Sequence, residues 1–335
     1  MSGPDAVWCA AVNQEELSLL ISLVVPIYND GALAEEFCAD VEAVFQRELG
    51  TETIENDVEI IFVNDGSRDE SFALLRDVVC EKFKYARVVD LSRNFGQHVA
   101  ISAGYRHAKG DYVASLNVDR EDPPDQIPRV LEVIRKGEHD FVGARYKQRD
   151  VRFLNRITSK VFMWVLNRLT GYDVPLDMAS LRIMNRRFVD SYNALTEQSR
   201  YLPGLESWLG FRRTWVMIDH RKRTRGKSSY NFKRRFILAF NAIVSFSDLP
   251  LRMSVVLGMF VALLGVAMSI FLVITKIFFV GVEPGFTATI SVIVFFAGAQ
   301  MFVIGVAGLY IGRILREVQG RPLYVVRATH NFEPS

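Results

Sequence analysis

Two stretches, Met253–Val280 and Thr287–Ile311, constrain this chain more than any other feature. Each exceeds the ~20 apolar residues that carry an α-helix across the hydrocarbon core of a bilayer. A buried globular helix of that length would keep a polar stripe, yet only Lys276 is charged in either stretch. The chain therefore reads as a two-helix transmembrane hairpin. Lys276 falls in the last turns of the first helix, from which its amine can snorkel outward. No ionisable residue sits at mid-depth, so the hairpin reads as an anchor rather than a channel. Lys233, Arg234, Arg235 and Arg252 precede it, and Arg313, Arg316, Arg321 and Arg327 follow it. Excess Lys and Arg mark the cytoplasmic side, which puts both ends of the hairpin, and the soluble part of the chain, in the cytoplasm.

The remainder of the 335 residues is long enough for one large domain, read as 19–230 after a polar lead-in at 1–18 that lacks a leader pattern. A formal charge of +2 makes no case for a nucleic-acid partner. Three cysteines without motif spacing argue against a disulfide framework and for a reducing compartment. Residues 231–250, with Phe232, Phe236, Phe240 and Ile243 at helical spacing beside basic residues, read as an amphipathic helix in the membrane surface. Residues 251–312 hold the hairpin and 313–335 read as a cytoplasmic tail.

Within the soluble part, short β-branched runs alternate with helix-length segments. The runs are Ile21–Pro26, Val58–Val63, Arg87–Leu91, Tyr112–Leu116 and Asp140–Val142; the helices between them are Ala32–Glu48, Asp69–Lys82, Gln97–Ala108 and Gln126–Lys136. That order predicts a doubly wound α/β domain with a mostly parallel sheet, which binds ligands beyond the carboxyl ends of its strands. Polar clusters stand at those ends: Tyr28-Asn29-Asp30, Asp65-Gly66-Ser67, Ser92-Arg93-Asn94 and Asn117 to Asp122. Each alone is ordinary turn chemistry. Their convergence on one edge is the signal. No GxGxxG or phosphate-loop pattern is present, which weighs against a dehydrogenase or an NTPase.

The ordered set Val25-Pro26-Ile27-Tyr28-Asn29-Asp30, Val63-Asn64-Asp65-Gly66-Ser67-Arg68-Asp69, Arg93-Asn94-Phe95-Gly96-Gln97 and Asn117-Val118-Asp119 with Asp122-Pro123-Pro124 resembles family 2 glycosyltransferases. Arg200 to Leu205, Trp208 to Phe211, Gly226 to Tyr230 and the hairpin extend the resemblance to about Leu19–Arg327. Within the family the chain looks like the polyprenyl-phosphate glycosyltransferases, the group of dolichol-phosphate mannose synthase, bactoprenol glucosyltransferase and undecaprenyl-phosphate aminoarabinose transferase. The resemblance implies a GT-A (Rossmann-like) catalytic domain, interfacial amphipathic helices and the membrane hairpin. It implies inverting transfer of a sugar from a nucleotide-sugar donor to a polyprenyl phosphate, undecaprenyl phosphate in the inner membrane of a bacterium. The two alternatives are a catalytically silent relative serving as a membrane scaffold, motivated by Asn117, and a polysaccharide-extending synthase, which normally has more membrane helices. The hairpin and amphipathic helices would permit a homo-oligomer.

By the same resemblance, Asp65 binds the base, with Pro26, Tyr28 and Asp30 lining the nucleoside pocket. Asp119 matches the second acid of the family's Asp-x-Asp motif and is the expected ligand of Mg2+ or Mn2+. Asn117 replaces the first acid and is expected at the nucleotide. Glu121, where the family has Gln, offers a second carboxylate. Hard cations take such oxygens together with diphosphate and water. Arg223 matches the family's diphosphate-binding Arg, and Lys227 stands two residues from the position of its Lys. Arg145, Arg156 and Ser159 are the expected ligands of the lipid phosphate, for which guanidinium geometry is suited. Arg156 lies on a segment, 151–170, whose basic residues Arg152, Arg156 and Lys160 recur at helical spacing beside an apolar surface. Asp177 and Arg182 match a family motif whose second Asp is Ser180 here, and read as structural. No general base is expected, because a phosphate monoester is already ionised at neutral pH; His98 and His107 read as structural.

Overall fold

The computed structural model describes residues 21–49, 54–119, 121–147, 177–218, 249–278 and 285–332, with positions 168 and 175. The segments 1–18 and 151–170 (position 168 apart) and most of 231–250 lie outside the described residues, as do Arg156, Ser159, Arg223 and Lys227.

Eight strands form one sheet: β1 Ile21–Ile27, β2 Val58–Asn64, β3 Ala86–Leu91, β4 Tyr112–Ser115, β5 Phe141–Tyr146, β6 Met178–Asn185, β7 Arg213–Ile218 and β8 Val326–His330. Their order is β7-β5-β6-β4-β1-β2-β3-β8. The pairs β1–β2, β1–β4, β2–β3 and β5–β7 are parallel; β3–β8, β4–β6 and β5–β6 are antiparallel. The five strands expected from the sequence are all present, shifted by a few residues at most except for the longer β5. The intervening helices are Ala34–Leu49, Gln97–His107 and Ile127–Arg135, with three contiguous helical pieces covering Ser71–Leu74, Leu75–Val79 and Cys80–Lys82.

The period-two geometry of strands divides the core between the two faces of the sheet. Ile21, Leu23, Val25, Ile60 and Phe62 join Phe37, Val41, Phe45, Ile127 and Leu131 on one side. Val24, Ile61 and Val63 join Ala100, Ala103, Tyr105, Phe188 and Leu205 on the other. Covered on both faces, β1 and β2 are apolar almost throughout, as strands of parallel sheets are.

Polar groups at the amino ends of these strands are satisfied internally. Glu59 is buried and accepts from Ser22 Oγ, from the Lys109 amide at 2.6 Å and from Arg87. The loops after β1, β2 and β4, at the carboxyl ends, carry the polar clusters Tyr28-Asn29-Asp30, Asp65-Gly66-Ser67 and Asn117 to Asp122.

Two long helices follow, Leu249–Phe278 and Phe286–Val318. Their windows Leu251–Phe271 and Phe295–Val318 are long and apolar enough to cross a membrane, and both are largely exposed. Exposed surfaces of that size and apolarity are unfavourable in water. The helices pack on each other closely at Gly265, where an added Cβ would lie 2.6 Å from Phe296 Cζ.

The segment after the hairpin, read from sequence as a tail, contains β8. It pairs antiparallel with β3 and forms that edge of the sheet, and the Ser92 amide donates to Val325 O at 2.9 Å. The end of the second long helix is also tied to the α/β domain. Glu317 accepts from the Gln198 amide at 3.0 and 3.1 Å, and Gln198 Nε2 donates to Arg321 O at 2.6 Å.

Candidate active site

The loop after β1 is bolted to the loop after β2. Asn29 adopts a left-handed backbone, φ 59, a region that non-glycine residues seldom occupy. Its amide donates to Ser67 Oγ at 3.0 Å, and its Oδ1 accepts from the Arg68 amide at 2.9 Å. The Gly31 amide donates to Ser71 Oγ at 2.9 Å. These bonds hold Tyr28 and Asp30, both exposed, and half-buried Pro26 at the mouth of the edge.

Asp65 is 3% exposed, and both its oxygens are engaged. Oδ1 accepts from the Phe95 amide at 2.7 Å and Oδ2 from the Gly96 amide at 2.9 Å. Burial raises the Asp65 carboxyl above the ordinary carboxylate range, and the two amides and Arg93 offset only part of that rise. Asp65 thus clamps the loop after β3. The clamp needs Gly66: its φ is 61, and a Cβ there would sit 2.3 Å from Arg93 C. Arg93 stacks over Phe95, with its Cζ 4.1 Å from the ring centroid.

At the end of β4, Asn117 is a bridge. Its Oδ1 accepts from Gln97 Nε2 at 2.8 Å, and its Nδ2 donates to Ser180 Oγ at 2.8 Å. The amide thereby ties β4 to the start of the helix Gln97–His107 and to β6. Asp119 and Glu121 follow, both half-buried, with the Glu121 amide 3.3 Å from Asp119 Oδ1. Asp122, the third acid of the cluster Asn117 to Asp122, is fully buried and structural: it accepts from Tyr146 OH at 2.6 Å and from the Ser180 and Leu181 amides at 2.5 and 3.0 Å.

Among the described residues, no group of three or more His, Cys, Asp or Glu forms a metal cage. Two carboxylates two positions apart nevertheless suit Mg2+ or Mn2+, since such ions take one or two protein carboxylates and draw further ligands from phosphate and water. The donor set therefore fits a hard divalent cation that arrives with a diphosphate.

Arg145 lies on β5, in register with Met178 of β6 and Met217 of β7. Its Nε is shielded from water and finds no acceptor among the described residues. A buried N–H without a partner costs about 1–3 kcal/mol, which an anionic oxygen would relieve.

Behind the edge, Arg182 donates to buried Glu206 at 2.8 Å and to Ser180 O at 3.2 Å. Burial opposes the charge on Arg182, but Glu206, with Tyr105 and Asp122, outweighs it and holds the guanidinium protonated. His98 faces Tyr201, and its Nδ1 has no partner among the described residues. Burial, with Arg182 adding to it, lowers the His98 pKa from 6.5 to about 4. The unfolded imidazole therefore takes up a proton near pH 6.5 while the folded one does not. Stability is full above pH 6.5 and falls as pH drops toward 4, by up to ~1.4 kcal/mol per pH unit. Thermal unfolding of wild type and His98→Gln between pH 7 and 5 checks this. The wild type should lose about 2 kcal/mol more than the variant.

The structure brings together Pro26, Tyr28, Asp30, Asp65, Asn117, Asp119 and Glu121 on one edge. Gln97 and Ser180, which fix Asn117, and Asp122, which fixes their loop, were not singled out by sequence as site residues. Their partners lie 20 to 63 positions away.

The family model for glycosyl transferase family 2 matches residues 22–192. An uncharacterized glycosyltransferase of Synechocystis sp. is 34% identical over 312 residues, covering 92% of this chain and 95% of the relative. The undecaprenyl-phosphate 4-deoxy-4-formamido-L-arabinose transferase of Pseudomonas savastanoi pv. phaseolicola is 32% identical over 308 residues, covering 91% of this chain and 89% of the relative. The putative glycosyltransferase CsbB of Bacillus subtilis is 30% identical over 311 residues, covering 92% of this chain and 91% of the relative.

Proposed function

The chain belongs to glycosyl transferase family 2, and from that premise we propose that it moves a sugar from a nucleotide-sugar donor to the phosphate of a membrane polyprenol, with inversion at the anomeric carbon. In a bacterium the acceptor is undecaprenyl phosphate, the lipid named in several of the similar relatives. The observation that carries this reading is the joining of one polar strand-end edge to two membrane-length helices in a single chain.

Asp65 and the loops it clamps, with Tyr28, Pro26 and Asp30, receive the nucleoside. Asp119 and Glu121 would hold Mg2+ or Mn2+, which offsets the charge that develops on the leaving nucleoside diphosphate. By the family resemblance Arg223 and Lys227, which lie outside the described residues, would bind the same diphosphate. Arg145, whose Nε finds no acceptor among the described residues, takes an oxygen of the lipid phosphate, and by the family resemblance Arg156 and Ser159 would bind the same group. The phosphate oxygen attacks the anomeric carbon in line, and the glycosidic bond to the diphosphate breaks on the opposite face. Holding the two reactants in that geometry lowers the barrier by removing orientational freedom. The basic flanks of the hairpin favour the cytoplasmic face for this chemistry.

Asn117→Asp isolates charge from shape. Ser180 Oγ can donate in place of accepting, and Gln97 still donates, so the fold is kept. If Asn117 borders the cation, the metal concentration for half-maximal activity should fall severalfold; an unchanged metal dependence places it outside reach. The function itself is tested by a donor panel: purified protein, undecaprenyl phosphate, Mg2+ or Mn2+ and a set of nucleotide sugars, with lipid-linked product measured. Turnover with one donor is the expected result, and none with any donor contradicts the proposal.

A further inference from the structure

The strand that follows the membrane hairpin reaches the donor edge through a hydrogen-bonded chain. Arg327 Nε, on β8, donates to Asp90 Oδ2 on β3 at 2.6 Å. Asp90 is fully buried, and its Oδ1 accepts from Asn64 Nδ2, at the end of β2, at 2.7 Å. Asn64 Oδ1 accepts from Ser67 Oγ at 2.5 Å and from the Ser67 amide at 3.3 Å. Ser67 Oγ in turn accepts from the Asn29 amide at 3.0 Å. Every donor in the chain points toward Asp90. A carboxylate can only accept, so Asp90 fixes which way the Asn64 amide faces. That fixes where the Ser67 hydroxyl sends its proton, which leaves a lone pair for Asn29 in its left-handed turn.

Arg327 supplies the cation beside this buried carboxylate. The Asp90 side chain is fully buried while that of Arg327 is 55% exposed, so the charge is held at the sheet surface. Removing one member of such a pair leaves a buried charge uncompensated, and the remaining groups rearrange to satisfy it. Here the groups free to rearrange are Asn64, Ser67 and Asn29.

We infer that Arg327 is a positioning residue for the nucleotide pocket, acting through Asp90, Asn64 and Ser67 on the loop that carries Tyr28, Asn29 and Asp30. The donor pocket is thus completed by a residue beyond the membrane helices, 237 positions from Asp90. This inference rests on the proposed function, since it takes the edge at Tyr28 to Asp30 as the nucleoside site.

The test uses the full chain in detergent, with UDP and GDP plus Mn2+ as probes in calorimetry, and initial rates with the active donor. Arg327→Met should raise the nucleoside diphosphate Kd and the donor KM about tenfold. kcat at saturating donor and the acceptor KM should stay within about twofold. Arg327→Lys, which keeps the charge, should recover most of the affinity. A residue that only stabilised the fold would lower the unfolding temperature without this split. Ser67→Ala cuts the chain without touching the buried carboxylate, and decides the matter if Arg327→Met does not fold; it should raise the same Kd. Unchanged Kd in Ser67→Ala, or in a folded Arg327→Met, overturns the inference. Failure of the wild type to bind either nucleotide would instead remove the donor site on which it stands.

Discussion

Asp119→Ala is expected to lower sugar transfer by about 10²–10³-fold or more, the loss seen when a group that stabilises transition-state charge is removed. Asp119 is half-buried at the end of β4 and accepts the Glu121 amide at a long 3.3 Å. Its side chain belongs to neither apolar core cluster, so the variant is expected to fold, and transfer and stability are measured separately. Rate assays over a range of Mn2+ concentrations, paired with unfolding curves, separate the two. Near-normal transfer would remove Asp119 from the metal site and leave Glu121 as the remaining acid of the pair.

Glu206→Ala should have the largest effect on stability. Glu206 and Arg182 are both buried and 2.8 Å apart, with side-chain exposures of 2% and 9%. Alanine leaves the buried Arg182 guanidinium without its ion-pair partner, at a cost of about 3–5 kcal/mol. The double variant Arg182→Met, Glu206→Met removes both charges and should recover much of that loss, since apolar pairs of similar volume often match a buried ion pair. Chemical denaturation of the three proteins measures it. A loss below about 1 kcal/mol for Glu206→Ala would mean that water reaches Arg182. The pair matters to the site because Arg182 also holds Ser180 O, and Ser180 holds Asn117.

These two cases mark what the sequence could and could not reveal. β1 to β4 were legible because β-branched runs closed by polar turn residues are a local signal. Their carboxyl-end clusters followed directly, and Asp65, Asp119 and Glu121 came with them. β6 was not legible, because Ser180 and Arg182 interrupt its apolar pattern and are satisfied by Asn117, Asp122 and Glu206 from other elements. β8 was missed for a related reason. Val326 to His330 alternates half-buried and exposed residues over only five positions, and its partner β3 lies more than 200 residues earlier. Arg327 looked like one more basic residue flanking a membrane helix; its pairing with Asp90 is a tertiary fact. Asp65 carried two readings, turn clamp and base ligand. The structure shows the clamp, made with two amides rather than within its own turn.

The central claim is that the acceptor atom is a phosphate oxygen of a membrane lipid. The most direct measurement is the linkage in the product. Protein, undecaprenyl phosphate, Mn2+ and the active nucleotide sugar would be incubated, and the lipid fraction examined by mass spectrometry and phosphorus NMR. The account predicts one sugar joined through a phosphodiester to the polyprenol, cleaved by mild acid, with the anomeric configuration opposite to that in the donor. A sugar joined to a hydroxyl, or free sugar and nucleoside diphosphate with the lipid phosphate unchanged, would contradict it.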